Sequence, residues 1–177
     1  LSREYDGTTT VSGALLTPTF DSLQGGETLA LSGTGSVASA DVGSSKAVTL
    51  GTIVLAAGSG NPSNYTLNSA SMNVTQRVIS LDGIRAYDAT TNVLSSDINT
   101  FGNIVSGETL TVSGTGSVST NSVEMNKAIS LGTLSLGNGS GLAGNYTLAG
   151  GTHTFDISPL AVNVTGSRQY NGTNVID

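Results

Sequence analysis

Gly26–Val37 reads GETLALSGTGSV, and Gly107–Val118 reads GETLTVSGTGSV. In the first, Leu29 and Leu31 fall on one side, against Thr28, Ala30 and Ser32 on the other. Leu110 and Val112 stand against Thr109, Thr111 and Ser113 in the same way. A period of two is that of a half-buried strand. Working outward, Gly26–Leu67 lies over Gly107–Leu148 without a gap at an offset of 81, and 24 of the 42 positions are identical. The alternation continues through Val48 and Leu50 (copies Ile129 and Leu131), Ile53 and Leu55 (Leu134 and Leu136), Tyr65 and Leu67 (Tyr146 and Leu148), and Met72 and Val74 (Phe155 and Ile157). No stretch carries a helical period with caps. Gly25-Gly26, Gly33-Thr34-Gly35, Gly58-Ser59-Gly60 and Gly137-Asn138-Gly139 read as turns. Short strands at intervals of about 8–12 residues predict an all-β fold of two tandem antiparallel β-sandwich modules, immunoglobulin-like, with about seven strands each. A right-handed β-helix is the alternative, but its coils are about 20–30 residues and no shorter repeat is visible inside the long one.

A second signature occurs three times: Arg3-x-Tyr5-Asp6-Gly7-Thr8, Arg85-x-Tyr87-Asp88-Ala89-Thr90 and Arg168-x-Tyr170-Asn171-Gly172-Thr173. Before each of the later two runs an apolar alternation, Arg77, Ile79, Leu81 in one and Leu160, Val162, Val164 in the other. That phase predicts a first module over 1–75 that lacks its opening strand, a second over 76–158, and in 159–177 the opening strand of a third. The chain opens on Leu1 in mid-motif, which predicts an excerpt from something longer. An unpaired edge templates a strand, so 159–177 is expected to be capable of strand exchange with another copy. Pro159 fits a joint between domains. Few Gly and Pro at the joint predict a stiff connection.

Composition narrows the function. Of 177 residues only 10% are charged, and Lys plus Arg number 6 against 12 Asp plus Glu, for a net charge of −6. So few cations cannot neutralise a phosphate backbone or hold an anionic membrane surface, which argues against nucleic-acid binding and membrane contact. No apolar run approaches the ~20 residues of a spanning helix. Cysteine is absent, so stability must come from the sheets alone.

The Tyr5–Thr9 run YDGTT, with Lys46–Leu50 (KAVTL) and Asn64–Leu67 (NYTL), resembles the YDG-type repeat modules of large bacterial surface adhesins of the filamentous-haemagglutinin, two-partner-secretion type. The resemblance covers essentially the whole chain. It implies a secreted or cell-surface bacterial protein and a repetitive β-rich segment of a long fibre. Asp88-Ala89 and Asn171 depart from the Asp-Gly pair, which reads as a turn and not as a catalytic centre.

The remaining constellations favour structure over chemistry. His153 is the sole histidine, placed in the insertion between repeats and expected in an exposed loop. No carboxylate pair stands out for glycoside hydrolysis. The glycine runs lack the Gly-Lys-Ser/Thr and following helix of a phosphate loop. No cofactor is expected, the one candidate being calcium at the joint among Asp82, Asp88, Asp97 and Asn99. Lys46 and Lys127 are kept although lysine is rare. They read as edge-strand lysines that oppose aggregation, with an intramolecular isopeptide bond as the alternative. Arg3, Arg85 and Arg168 with Tyr5, Tyr87 and Tyr170 read as a structural clamp, the arginine stacking on an aromatic ring or pairing with a carboxylate. Sequons stand at Asn64, Asn73, Asn138, Asn145, Asn163 and Asn171. The expected function is a non-enzymatic stalk whose partners are neighbouring modules of the same chain. The alternative is weak multivalent binding of a glycan, an exopolysaccharide or a host surface by the modules themselves.

Overall fold

The computed structural model describes residues 1–16, 18–167 and 169. The first repeat supplies β1 (Ser2–Glu4), β2 (Thr10–Ser12), β3 (Leu29–Ser32), β4 (Thr34–Val37), β5 (Gly43–Thr49), β6 (Val54–Ala57) and β7 (Ala70–Thr75). The second supplies β8 (Arg77–Val78), β9 (Ser80–Ala86), β10 (Asn92–Leu94), β11 (Ile98–Gly102), β12 (Leu110–Ser113), β13 (Thr115–Ser117), β14 (Glu124–Ala128), β15 (Ser135–Asn138), β16 (Tyr146–Thr147) and β17 (His153–Ser158). The chain is all-β. Among the described residues the only helical pieces are single 3-10 turns, and none is long and apolar enough to cross a membrane.

Each module sets a broad sheet against a two-stranded ribbon. In the first, the sheet runs β1-β7-β5-β4-β2 and the ribbon is β3-β6. In the second, β11-β9-β17-β14 stands with the pair β10-β13, linked by a bridge between Ser117 and Ser130, and the ribbon is β12-β15. The alternating residues do what their period requires: Leu31, Val48, Met72 and Val74 are buried in one cluster, as are Leu110, Ile129, Phe155 and Ile157 in their copy. That cluster runs unbroken across the two modules.

The sheets are not wholly antiparallel. β1 pairs parallel with β7 (Arg3 opposite Val74), and β9 pairs parallel with β17 (Arg85 opposite Ile157). The strand that carries the signature arginine (β1, and in the second module the end of β9) lies beside the closing strand of its module, although the rest of the module separates them in sequence. A parallel pair needs such a long crossover, and local alternation carries no sign of it.

The Gly33-Thr34-Gly35 run is more than a turn. Gly33 has φ 85° and connects β3 to β4, and a Cβ there would overlap the carbonyl of Thr52. Gly114 repeats the arrangement at φ 93° against Thr133. The backbones of two segments touch at these points, so only glycine fits. The third signature (Arg168, Tyr170 and Asn171) lies outside the described residues. Pro159–Ser167 carry no strand.

Candidate functional site: the signature turn and the joint between modules

The signature folds as an arginine-clamped turn. Asp6 Oδ1 accepts from the Thr8 amide at 2.9 Å and from the Thr8 hydroxyl at 3.0 Å. Asp88 does the same for Thr90, at 2.9 and 3.0 Å. This side-chain mimic of a turn holds the loop. The bond from Thr90 keeps the Asp88 carboxyl below the usual carboxylate range. The arginine then closes the loop from beneath. Arg3 donates to the carbonyls of Thr8 and Thr10 and lies 3.3 Å from Asp6. Arg85 donates to the carbonyls of Thr90 (2.6 Å) and Asn92, and pairs with Asp88 at 3.0 Å and Asp97 at 3.8 Å. Its guanidinium also sits 5.4 Å from the Phe155 ring centroid. A planar fork with several donors suits two diverging carbonyls, which a lysine could not bridge.

The tyrosine turns to the neighbouring module. Tyr5, in the first module, is only 5% exposed because the second module covers it. Its hydroxyl donates to Glu108 Oε1 at 2.5 Å, and the Tyr146 hydroxyl donates to Glu108 Oε2 at 2.7 Å. The two rings meet edge to face at 5.4 Å. One carboxylate thus ties together a tyrosine from each module. Burial, then the bond to Glu108, pushes both phenols up to about 12. Around this centre Asn145 donates to Asp41 Oδ1 at 2.9 Å and accepts from the Val42 amide at 2.9 Å. Hydroxyl and amide donors from Ser39 and Asn145 hold the Asp41 carboxyl below its ordinary range. Arg77 donates to the Tyr5 carbonyl and pairs with Glu4 at 3.6 Å. Gln76, in the connection itself, donates to the carbonyls of Gly144 and Tyr146.

A family model described as the YDG domain matches residues 1–73 and again 73–154. The chain belongs to the YDG domain family. No curated protein and no solved structure matches it.

Within each YDG module the glutamate and tyrosine of the joint come from the most strongly repeated blocks. Glu27 and Tyr65 repeat the pair inside the first module, with Tyr65 donating to Glu27 Oε2 at 2.6 Å. That bond raises the Tyr65 phenol. Tyr65 and Tyr146 were legible in the sequence and Asn145 was marked there only as a sequon, whereas Glu27, Glu108 and Asp41 were passed over. The signal for Glu108 was available, since GETL keeps its acid in a chain with only twelve. The signature's other tyrosine, Tyr87, is 37% exposed.

The structure also places the two lysines and the calcium candidates, and it corrects the expectation for His153. β5, the strand of Lys46, pairs with β4 only at Val48 and Thr49, so Lys46 has a ladder partner on the β7 side alone among the described residues, and β14, the strand of Lys127, ends its sheet. The Lys46 ammonium is drawn back to the Asp41 carbonyl at 2.5 Å. Lys127 is buried and bonded to Glu124 (2.7 Å), Thr120 and Ser122. Both lysines therefore fasten the loop before their strand. His153 is not in an exposed loop. It begins β17 and is buried, its Nδ1 accepting from the Leu81 amide at 3.1 Å and its Nε2 meeting the Leu148 carbonyl at 2.9 Å. The insertion around Gly150 ends before it, so the histidine has passed into the sheet. The calcium candidates do not converge at the joint either. Asp82 binds the Thr154 hydroxyl, Asp88 holds its own turn, and Asp97 takes the Leu94 amide and Arg85. Among the described residues no three acids or histidines gather as metal ligands.

Proposed function

We propose that this chain is a stalk segment of an exported bacterial surface adhesin, in which YDG modules joined end to end hold a binding region away from the cell. The observation that carries the reading is the joint itself. Glu108 receives hydroxyls from both modules, the Asn145 side chain is spent on Asp41 and Val42, and the apolar core continues through. A connection with this many cross-module bonds resists bending, which a spacer needs and an isolated binding module does not. Three of the four described tyrosines are committed to carboxylates, which leaves little aromatic platform for a glycan. We assign no catalysis to the chain: both ring nitrogens of His153, its one histidine, face backbone groups.

The test has two arms. Spin labels placed on the two modules should give a single narrow distance distribution, which Glu108→Ala broadens. Arrays of one, two and several copies should show no saturable binding to host cells or exopolysaccharide at any copy number. Free inter-module motion in the unaltered chain, or binding that steepens with copy number, would replace the stalk with multivalent adhesion.

A further inference from the structure

Two strands carry the chain into the second module and out of it, and they lie side by side. The chain arrives from β7 through Gln76, runs by β8 into β9, and leaves along β17 past Ser158. β9 and β17 point the same way and are in register over six residue pairs, from Leu81 opposite His153 to Ala86 opposite Ser158. Tension along the chain therefore draws β9 toward its beginning and β17 toward its end, so the two strands are driven to slide past each other. The bonds of a parallel ladder are evenly spaced between its strands. Under a sliding load they all take the pull together, whereas strands drawn apart from one shared end part bond by bond.

The rest of the sheet opposes the slide. β9 is held between β11 and β17, and β17 between β9 and β14, so neither loaded strand is at an edge. Phe155 and Ile157 are buried, while Thr154, Asp156 and Ser158 alternate with them. A slip of one residue would carry the apolar pair to the other face. Side chains also cross the pair at both ends. At the start, His153 Nδ1 accepts from the Leu81 amide at 3.1 Å, and the Thr154 hydroxyl donates to Asp82 Oδ1. At the far end, the Ser158 hydroxyl donates to the Arg85 carbonyl at 3.3 Å and the Tyr87 amide to the Ser158 carbonyl at 2.8 Å. The Arg85 guanidinium over the Phe155 ring is a further tie between the two strands. The entry has the same geometry: β8 pairs parallel with β16, and the Ile79 amide donates to the Thr147 carbonyl at 3.0 Å.

We propose that the β9–β17 pair is a mechanical clamp. Tension passed along the chain loads it in shear, and the second module stays folded under forces that open it from another direction. The ribbon β12–β15 lies outside the loaded path and adds equilibrium stability without adding to this resistance. The property follows from strand direction. It holds whether the chain acts as a stalk or as a multivalent binder, and it stands or falls apart from either reading.

The test is single-molecule force spectroscopy on the full chain, with attachment points placed by cysteine because none is native. Gln76→Cys with Leu160→Cys pulls β9 and β17 in opposite directions. Tyr87→Cys with Leu160→Cys pulls the same two strands apart from one end. All three positions are exposed, and each variant is first checked for an unchanged circular dichroism spectrum. The first variant loses the Gln76 bonds to Gly144 and Tyr146, which works against the expected order. At one loading rate the first geometry should break at roughly three times the force of the second, since six pairs yield together in one and in turn in the other. Thr154→Val should lower the force in the first geometry and leave the second unchanged, because peeling begins at Ser158. Val112→Ala, in the ribbon, should lower the urea midpoint and leave the first-geometry force unchanged. Equal forces in the two geometries overturn the proposal. So does a Val112→Ala chain that loses as much force as Thr154→Val, which would place the resistance in the core as a whole.

Discussion

Ala89 stands where the first signature has glycine, yet it keeps the left-handed backbone, with φ 65° against 74° at Gly7. An L-residue with a Cβ costs roughly 1–2 kcal/mol in that region, partly offset by the greater freedom of glycine in the unfolded chain. Ala89→Gly should therefore raise stability by about 1 kcal/mol, read as a higher urea midpoint at unchanged slope. Gly7→Ala should do the reverse and more, since its Cβ would lie 2.9 Å from Val105 Cγ1 across the joint. His153 makes the complementary case. Removing its ring leaves the Leu81 amide and the Leu148 carbonyl buried without partners, and each such group costs about 1–3 kcal/mol. His153→Ala should lower stability by roughly 2–4 kcal/mol on that basis, and an unchanged melting temperature would refute the buried role.

At the scale of elements, the parallel pair of the arginine-bearing and closing strands is the feature around which a module closes. β9 supplies Ile79's neighbour Leu81 to the core and, at its end, Arg85 to the clamp. The arginine's worth lies in its fork. Arg85→Ala loses two carbonyl bonds, two carboxylates and the Phe155 ring, an expected cost of about 2–4 kcal/mol in chemical unfolding. Arg85→Lys should recover less than half of it, because one ammonium cannot serve both carbonyls. A lysine variant as stable as the parent would mean that charge alone matters and that the clamp geometry does not.

For the whole molecule the joint sets the alkaline limit. An unfolded tyrosine ionises near pH 10 (about its free value), whereas Tyr5 and Tyr146 keep their protons to about 12. Between those values the unfolded chain sheds protons that the folded one retains, so stability falls as pH rises. The contribution is whole below pH 10 and gone above 12. Thermal unfolding at pH 8 and pH 11 should show a clear drop that is smaller in Tyr5→Phe with Tyr146→Phe. An equal drop in the double variant would place the alkaline sensitivity elsewhere.

The class of fold and its repetition are legible in the residues alone. Alternation at Leu29–Ser32 and Leu110–Ser113 depends only on the strand period, and a repeated module must repeat its core. The signature turn is marked there too, since an aspartate two residues before a threonine is a local device. Tertiary structure decided what joins distant parts of the chain. Sequence spacing does not show that Glu108 gathers Tyr5 from 103 residues away, that His153 is inside a sheet, or that β5 has neighbours on both sides. Those depend on which strands lie adjacent, and strand order follows from packing the whole core, not from any local period.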